Sequence, residues 1–192
     1  MSIAGHIRRY MQDSSWIRRM FEIGSAMKAE RGESNVFDLS LGNPVIEPPD
    51  QFTEQLQLLV NNPTKGMHRY MPNAGYLETR QAIAQELRGE TGLPYDSSNV
   101  LMTVGAGGAI NVALHAILNP GDEVIIFTPY FGEYIFYVLN HMGNPIVVNC
   151  DNQFTPDLKE LSTKINVRTR AVLLNSPNNP SGIVYDTQFL QD

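Results

Sequence analysis

From Val100 onward, short apolar runs alternate with helix-like stretches, and few folds accept that rhythm. Leu101 to Val104 reads as a strand, Ala109 to Leu118 as a helix, and Glu123 to Phe127 as a second strand. Asn119-Pro120-Gly121-Asp122 is a turn by composition. A further helix is expected from Glu133 to His141, and Pro145 to Cys150 and Ala171 to Asn175 read as additional strands. Strands separated by helices specify an α/β fold, a mainly parallel sheet flanked by helices, because each crossover must pass over a sheet face.

The chain before this alternation reads differently. Ser14 or Ser15 can cap an opening helix in which Ile17, Met20, Phe21, Gly24 and Met27 share one face, ended by Gly32. A strand-like run from Val36 to Leu41 leads into Gly42-Asn43-Pro44 and Glu47-Pro48-Pro49, where proline stops both helix and strand. A boundary is therefore expected near residue 50, separating residues 1–50 as an N-terminal arm from residues 51–192. Helices are expected from Gln51 to Asn61 and from Gly75 to Arg88, the latter with Leu77, Ile83, Ala84 and Leu87 as its apolar stripe. Tyr70 lies in the loop between them. A parallel sheet with so few strands would leave apolar faces and an edge open, so the chain reads as incomplete.

Composition narrows the function. With 42% apolar and 18% charged residues over 192 positions, the chain can bury a core. A formal charge of -6 argues against nucleic acid, whose backbone demands a basic face, and points to small-molecule partners. The lone Cys150 offers neither a disulfide framework nor a zinc cluster, which suits a reducing, cytoplasmic location. Arg8, Arg9, Asp13, Arg18 and Arg19 interrupt the N-terminus, so it holds neither a signal core nor a membrane span. His6, His68, His115 and His141 are widely separated and show no ligand spacing, so no metal is expected.

Chemistry is concentrated in loops. Gly105-Ala106-Gly107-Gly108 follows an apolar run and opens a helix, a junction whose free N–H groups and helix dipole suit an anion, a phosphate above all. It is not a Walker A loop, since no Gly-Lys-Ser/Thr follows, and Ile110 stands where a dinucleotide fingerprint needs its third glycine. Taken alone, the loop is equally well read as a tight turn that lets helix pack on strand. Thr128-Pro129-Tyr130-Phe131 and Asn175-Ser176-Pro177-Asn178-Asn179-Pro180-Ser181-Gly182 also follow expected strands. Ligands of open parallel sheets bind beyond the carboxyl ends of the strands, where three such loops would converge. Phe131 can stack on an aromatic ring and Asn179 can donate to an oxygen on it, although each alone suits a core aromatic and an Asn-Pro turn.

Taken in order, these segments resemble a class I/II aminotransferase of the aspartate aminotransferase fold, pyridoxal-phosphate fold type I. The likeness runs from Asp38-Leu39-Ser40-Leu41-Gly42-Asn43-Pro44, through Arg69-Tyr70-Met71-Pro72-Asn73-Ala74-Gly75, the Gly105 loop, Asn119-Pro120-Gly121-Asp122 and Pro129-Tyr130-Phe131, to Asn178-Asn179-Pro180-Ser181-Gly182. The resemblance implies pyridoxal 5'-phosphate as cofactor and amino-group transfer between an amino acid and a 2-oxo acid. It makes residues 51–192 part of a large, cofactor-binding domain and residues 1–50 an arm with a small-domain segment.

It also implies roles. Gly42 would offer its N–H near the substrate carboxylate. Tyr70 would reach the cofactor phosphate of a second subunit, in a homodimer. Gly105, Ala106 and Gly107 would form the phosphate turn, Phe131 would stack on the pyridine ring, and Asn179 would hydrogen-bond its phenolic oxygen.

The resemblance stops short of the reacting residues. Lys28, Lys65, Lys159 and Lys164 match no Schiff-base lysine motif, and the family's acid for the pyridine nitrogen and its substrate arginine are not found, so the chain alone is expected to be inactive. Ser25-Ala26-Met27-Lys28 fits Ser-x-x-Lys without the companion motifs of acyl-enzymes and reads as structural. A lyase of the same fold, or an inactive remnant, remain alternatives to an aminotransferase, and the substrate amino acid is not legible.

Overall fold

The computed structural model describes residues 2–13, 15–40, 42, 44 and 46–191. They fall into two compact units, Met1–Arg69 and Tyr70–Asp192, a division later in the chain than the expected boundary near residue 50.

The first unit is helical. Helix α1 spans Gly5–Asp13, α2 spans Ser15–Arg31 and α3 spans Asp50–Asn61. Ser14 and the side chains of Ser15 and Ile17 lie outside the described residues. Within the unit, the apolar stripe of α2 is covered only in part. Gly24 is buried and Met27 half-buried, while Met20 and Phe21 are exposed. Lys28 of α2 forms an ion pair with Asp38 at 2.8 Å, and Asp38 also accepts from the Ser40 N–H and hydroxyl. Those hydrogen bonds, from Lys28 first and then Ser40, hold the Asp38 carboxyl well below the usual carboxylate range. The expected strand at Val36 is absent. A short 3-10 turn at Glu33–Asn35 gives way to backbone with no ladder partner among the described residues, and Phe37 and Leu39 stand in solvent. Leu41 lies outside the described residues.

The second unit carries the sheet. Helix α4 (Leu77–Thr91) buries Ala84 and half-buries Ile83 and Leu87, the stripe that sequence periodicity anticipates, although Leu77 is exposed. Gly75, at φ +97°, precedes it because a Cβ there would strike the Met102 side chain at 2.4 Å. The run Leu101–Val104, expected to form a strand, pairs with no strand among the described residues. The Met102 N–H donates to the Ala74 carbonyl instead, and Leu101 and Val104 are exposed.

Three parallel strands follow: β1 (Glu123–Phe127), β2 (Asn144–Val148) and β3 (Thr169–Leu173), in spatial order β2-β1-β3. Helix α5 (Gly105–Ile117) precedes β1, α6 (Glu133–Asn140) joins β1 to β2, and α7 (Leu158–Lys164) joins β2 to β3. A last helix, α8, spans Thr187–Gln191. Periodicity in the sequence shows neither α1 nor α7. Each is short, and the Asp157 carboxylate starts α7 by accepting from the N–H groups of Lys159 and Glu160.

The strand pleat sorts the core into two faces. Val124 and Ile126 pack with Leu114 of α5 and Tyr134 and Val138 of α6, joined by Ala171 and Leu173 of β3. Ile125 and Phe127 pack on the other face with Val148, against Leu161 of α7. Burying each such aliphatic side chain stabilises the fold by roughly 1.5–3 kcal/mol. Central β1 is buried throughout, whereas edge strand β3 alternates and leaves Val172 half out of the core. No described helix is long and apolar enough to cross a membrane.

Strand order also dictates where loops gather. From β1 the chain crosses one face to β2, then returns over the other face to β3 on the far side of β1. The order therefore reverses between β1 and β3, and the crevice beyond their carboxyl ends is open to a ligand.

Candidate functional site

Helix α5 runs back along β1, so its N-terminus lies at the end where β1 finishes. Gly105 enters the helix at φ +68°, in the left-handed region that side chains avoid, and its N–H bonds back to the Thr103 carbonyl at 3.1 Å. No side chain caps this terminus. The Ala106 and Gly107 N–H groups have no helical carbonyl before them to reach, and they carry the positive end of the helix dipole. Gly105 and Ala106 are exposed and Gly107 is half-buried, so the turn is accessible and its peptides point outward.

The loop after β1 supplies the aromatic wall. Phe131 is half-buried, its ring set edge-on to Tyr134 with centroids 5.6 Å apart, and it packs on the same core cluster as α5 and α6. Burial, and then the neighbouring Tyr137, push the Tyr134 phenol up, so that ring is a neutral support rather than an acid at ordinary pH.

The loop after β3 is tied to the loop after β1. The Asn178 amide donates to the Pro129 carbonyl at 3.0 Å and to the Ser181 hydroxyl at 2.8 Å, closing the point where strand order reverses. Its backbone holds Ile183 and Gly182 in a tight turn. Asn175, with its amide oxygen turned toward the loop, accepts from the Asn179 N–H at 2.9 Å. That leaves the Asn179 side chain exposed and without a hydrogen-bond partner among the described residues, on the loop that Asn178 ties to the aromatic one.

Gly105, Ala106, Gly107, Phe131 and Asn179 thus come from three loops at one end of the sheet. Tyr70 opens the second unit and is fully exposed. Gly42 belongs to the first unit, is exposed, and has Leu41 and Asn43 beside it outside the described residues.

A model of the family "Aminotransferase class I and II" matches residues 34–192. The chain belongs to that family. Its relatives include a probable aspartate/prephenate aminotransferase of Thermus aquaticus, 34% identical over 168 residues that make up 86% of this chain and 43% of the relative. Aspartate aminotransferase of Thermotoga maritima is 34% identical over 91% of this chain and 46% of its own length. Among solved structures, an aminotransferase from Eubacterium rectale superposes with TM-score 0.91 at 35% identity, covering 100% of this chain and 49% of that one. Aspartate aminotransferase from Thermus thermophilus with maleate gives 0.73 at 35% identity, over 80% and 40%. This aminotransferase chain therefore has the pyridoxal-phosphate fold type I, and spans under half the length of the relatives it matches.

Two parts of the site escape sequence reading. Asn178 is visible in a motif, yet its service as the tether between loops depends on a carbonyl 49 residues away. Tyr137 and the pair Asn111–His141 reach the glycine turn from α6 and from within α5. The spacing of Phe131, Tyr134 and Tyr137, one aromatic every three residues, was the available signal for the first of these.

Proposed function

We propose that this chain binds and orients pyridoxal 5'-phosphate for amino-group transfer between an amino acid and a 2-oxo acid. One observation carries the reading. The uncapped first turn of α5, with the Ala106 and Gly107 N–H groups free, opens at the same sheet end as the Phe131 ring and the unpartnered Asn179 amide. That donor set suits a planar aromatic phosphate: a dianion at a helix N-terminus, a flat ring on an aromatic wall, and a ring oxygen facing an amide.

When bound, such a cofactor supplies the electron sink for a carbanion at the amino acid's Cα. The residues of this chain do the positioning. Ala106 and Gly107 neutralise the phosphate through main-chain N–H groups, Phe131 fixes the ring plane, and Asn179 donates to the phenolic oxygen. Gly42 presents its N–H to the substrate carboxylate, and Tyr70 reaches the phosphate of a second copy in a cytoplasmic homodimer.

The lysines of the chain are engaged elsewhere or lie off these loops. Lys28 is paired with Asp38, Lys164 binds Glu160 and the Val147 carbonyl, Lys159 lies on α7, and Lys65 is exposed in the first unit. None of the four serves as the Schiff-base partner, so the 192 residues hold the cofactor without turning over an amino acid.

The test is calorimetric titration of the chain with pyridoxamine 5'-phosphate and with pyridoxamine, amines that form no adventitious Schiff base with surface lysines. Binding that requires the phosphate, and weakens in Phe131→Ala, supports the reading. Equal affinity for the two compounds would sink it.

A further inference from the structure

The glycine turn is gripped from outside itself. A Cβ built on Gly107 would sit 2.9 Å from the Tyr137 hydroxyl oxygen, closer than side chains tolerate, and 3.6 Å from Cζ, which is ordinary contact. A Cβ on neighbouring Gly108 would meet nothing nearer than Thr103 at 3.5 Å. The two glycines therefore differ in kind. Gly108 has room for a methyl group, and the room at Gly107 is already taken by one oxygen atom.

The ring that carries this oxygen rests on the core. The Tyr137 ring packs on the core cluster of Leu114, Val124, Ile126, Tyr134 and Val138, with its centroid 6.4 Å from that of Tyr134. Its hydroxyl has no hydrogen-bond partner among the described residues, so no polar bond explains its placement. The Gly107 peptide is held a second time. Its carbonyl accepts from the Asn111 amide at 2.8 Å, and the Asn111 oxygen lies 3.1 Å from His141 Nε2 at the end of α6. The first turn of α5 thus meets Tyr137 of α6 on one side and, on the other, an Asn111 amide that itself contacts His141 just after α6.

We infer that Tyr137 is a positioning residue for the phosphate turn: its phenol occupies the space of a side chain at position 107, making glycine obligatory there and locking the orientation of the turn's free N–H groups. The inference rests on the cofactor reading above and deepens it. A helix ordinarily gains stability when glycine becomes alanine. Position 107 inverts that sign, because the added methyl must push the phenol or tilt the peptide, and position 108 keeps it.

The experiment is a mutant cycle on the chain, read by melting temperature and by titration with pyridoxamine 5'-phosphate and pyridoxamine. Gly107→Ala is expected to melt lower and to bind the phosphate compound about tenfold more weakly, while affinity for pyridoxamine is unmoved. Gly108→Ala is expected to melt no lower than the unmodified chain. Tyr137→Phe deletes only the clashing oxygen, leaving the nearest contact at 3.6 Å, so Gly107→Ala combined with Tyr137→Phe recovers both stability and phosphate affinity.

A double variant no better than Gly107→Ala, or a Gly107→Ala chain that binds as the unmodified one, would overturn the inference. So would a loss in Tyr137→Phe alone as large as that in Gly107→Ala, which would make the phenol a direct phosphate ligand. If Gly107→Ala does not fold, the double variant still decides: folding and binding supports the assignment, and failure to fold rejects it. An unmodified chain that binds both compounds alike refutes the cofactor reading itself, an outcome none of the other arms produces.

Discussion

The two ends of the three-stranded sheet are built on opposite principles. At the amino ends of the strands the polar groups are spent on one another. Buried Glu123 accepts from the Asn166 amide at 2.7 Å and from Arg168 Nε at 3.0 Å, and Asp122 accepts from the Asn119 N–H and from Arg170. At the carboxyl ends of β1 and β3, the α5 terminus goes uncapped and the Asn179 amide has no partner among the described residues. A satisfied polar group stabilises the fold, and an unsatisfied accessible one waits for a ligand. The difference teaches where stability and binding are each encoded, and it can be attacked from either end.

The largest expected effect concerns how far the open end extends. The carboxyl end of β2 faces the same way, but its polar groups are spent on one another: Asn149 donates twice to Glu160, and the Cys150 N–H donates to the Thr128 hydroxyl. Burial first, then the negative charges of Asp151 and Glu160, push the Cys150 thiol from 9.0 up to about 11. The thiolate is the reactive form, so at pH 8 Cys150 should react with a disulfide reagent about a hundredfold more slowly than a free cysteine thiol, and at the ordinary rate once unfolded. Reaction at the free-thiol rate in the folded chain would mean that the open region runs across β2 as well.

Next in size is the closed end. Glu123→Ala removes the acceptor of two hydrogen bonds from a buried position, a loss of about 2 kcal/mol. Chemical denaturation should move its midpoint by that amount, with pyridoxamine 5'-phosphate affinity unchanged once folded. Asn178→Ala should do the reverse. Its two bonds lie on the open side, so it is expected to cost about 1 kcal/mol in stability yet weaken phosphate-compound binding several-fold, by releasing the loop that carries Asn179 from Pro129. If the two variants shift both quantities alike, the division of labour between the ends is wrong.

The same contrast explains what the sequence disclosed. Central β1 is buried on both faces, so its run of apolar residues announces it without ambiguity, and α5 and α6 follow from the stripes that cover it. The loops that carry Gly105, Phe131 and Asn179 can be placed from sequence because each follows or precedes an apolar run. The run Leu101–Val104 reads as a strand because an apolar run looks the same whether or not a neighbour pairs with it; its described backbone ties are to Ala74 and, within the turn, to Gly105. Val36 onward failed for the same reason. Tyr137 is not singled out by sequence, because a core aromatic and a positioning aromatic look alike there, and what separates them is the 2.9 Å between its hydroxyl and a Cβ built at position 107. The tie of Glu123 to Arg168 spans 45 residues and leaves no local pattern.

The smallest effect is a titration at the closed end. The Asn119 N–H, and then the side chains of Arg170 and Asn119, hold the Asp122 carboxyl below its ordinary value of 3.8. A carboxylate whose folded value is depressed stabilises the fold fully above its unfolded value, and that contribution drains away as pH falls through the folded one. Asp122→Asn keeps an oxygen for the Asn119 N–H but gives up the charge that Arg170 meets at 3.3 Å. At neutral pH the variant should therefore melt slightly below the unmodified chain. As pH drops below 3.8 the gap should close, because the unmodified carboxyl is then losing its own charge. Glu160, whose carboxyl Lys164 and the Asn149 N–H also hold low, is present in both chains and cancels from the difference. A gap that persists unchanged into strong acid would mean that the turn at Asn119–Asp122 is held by shape alone, and that charge contributes nothing to the closed end there.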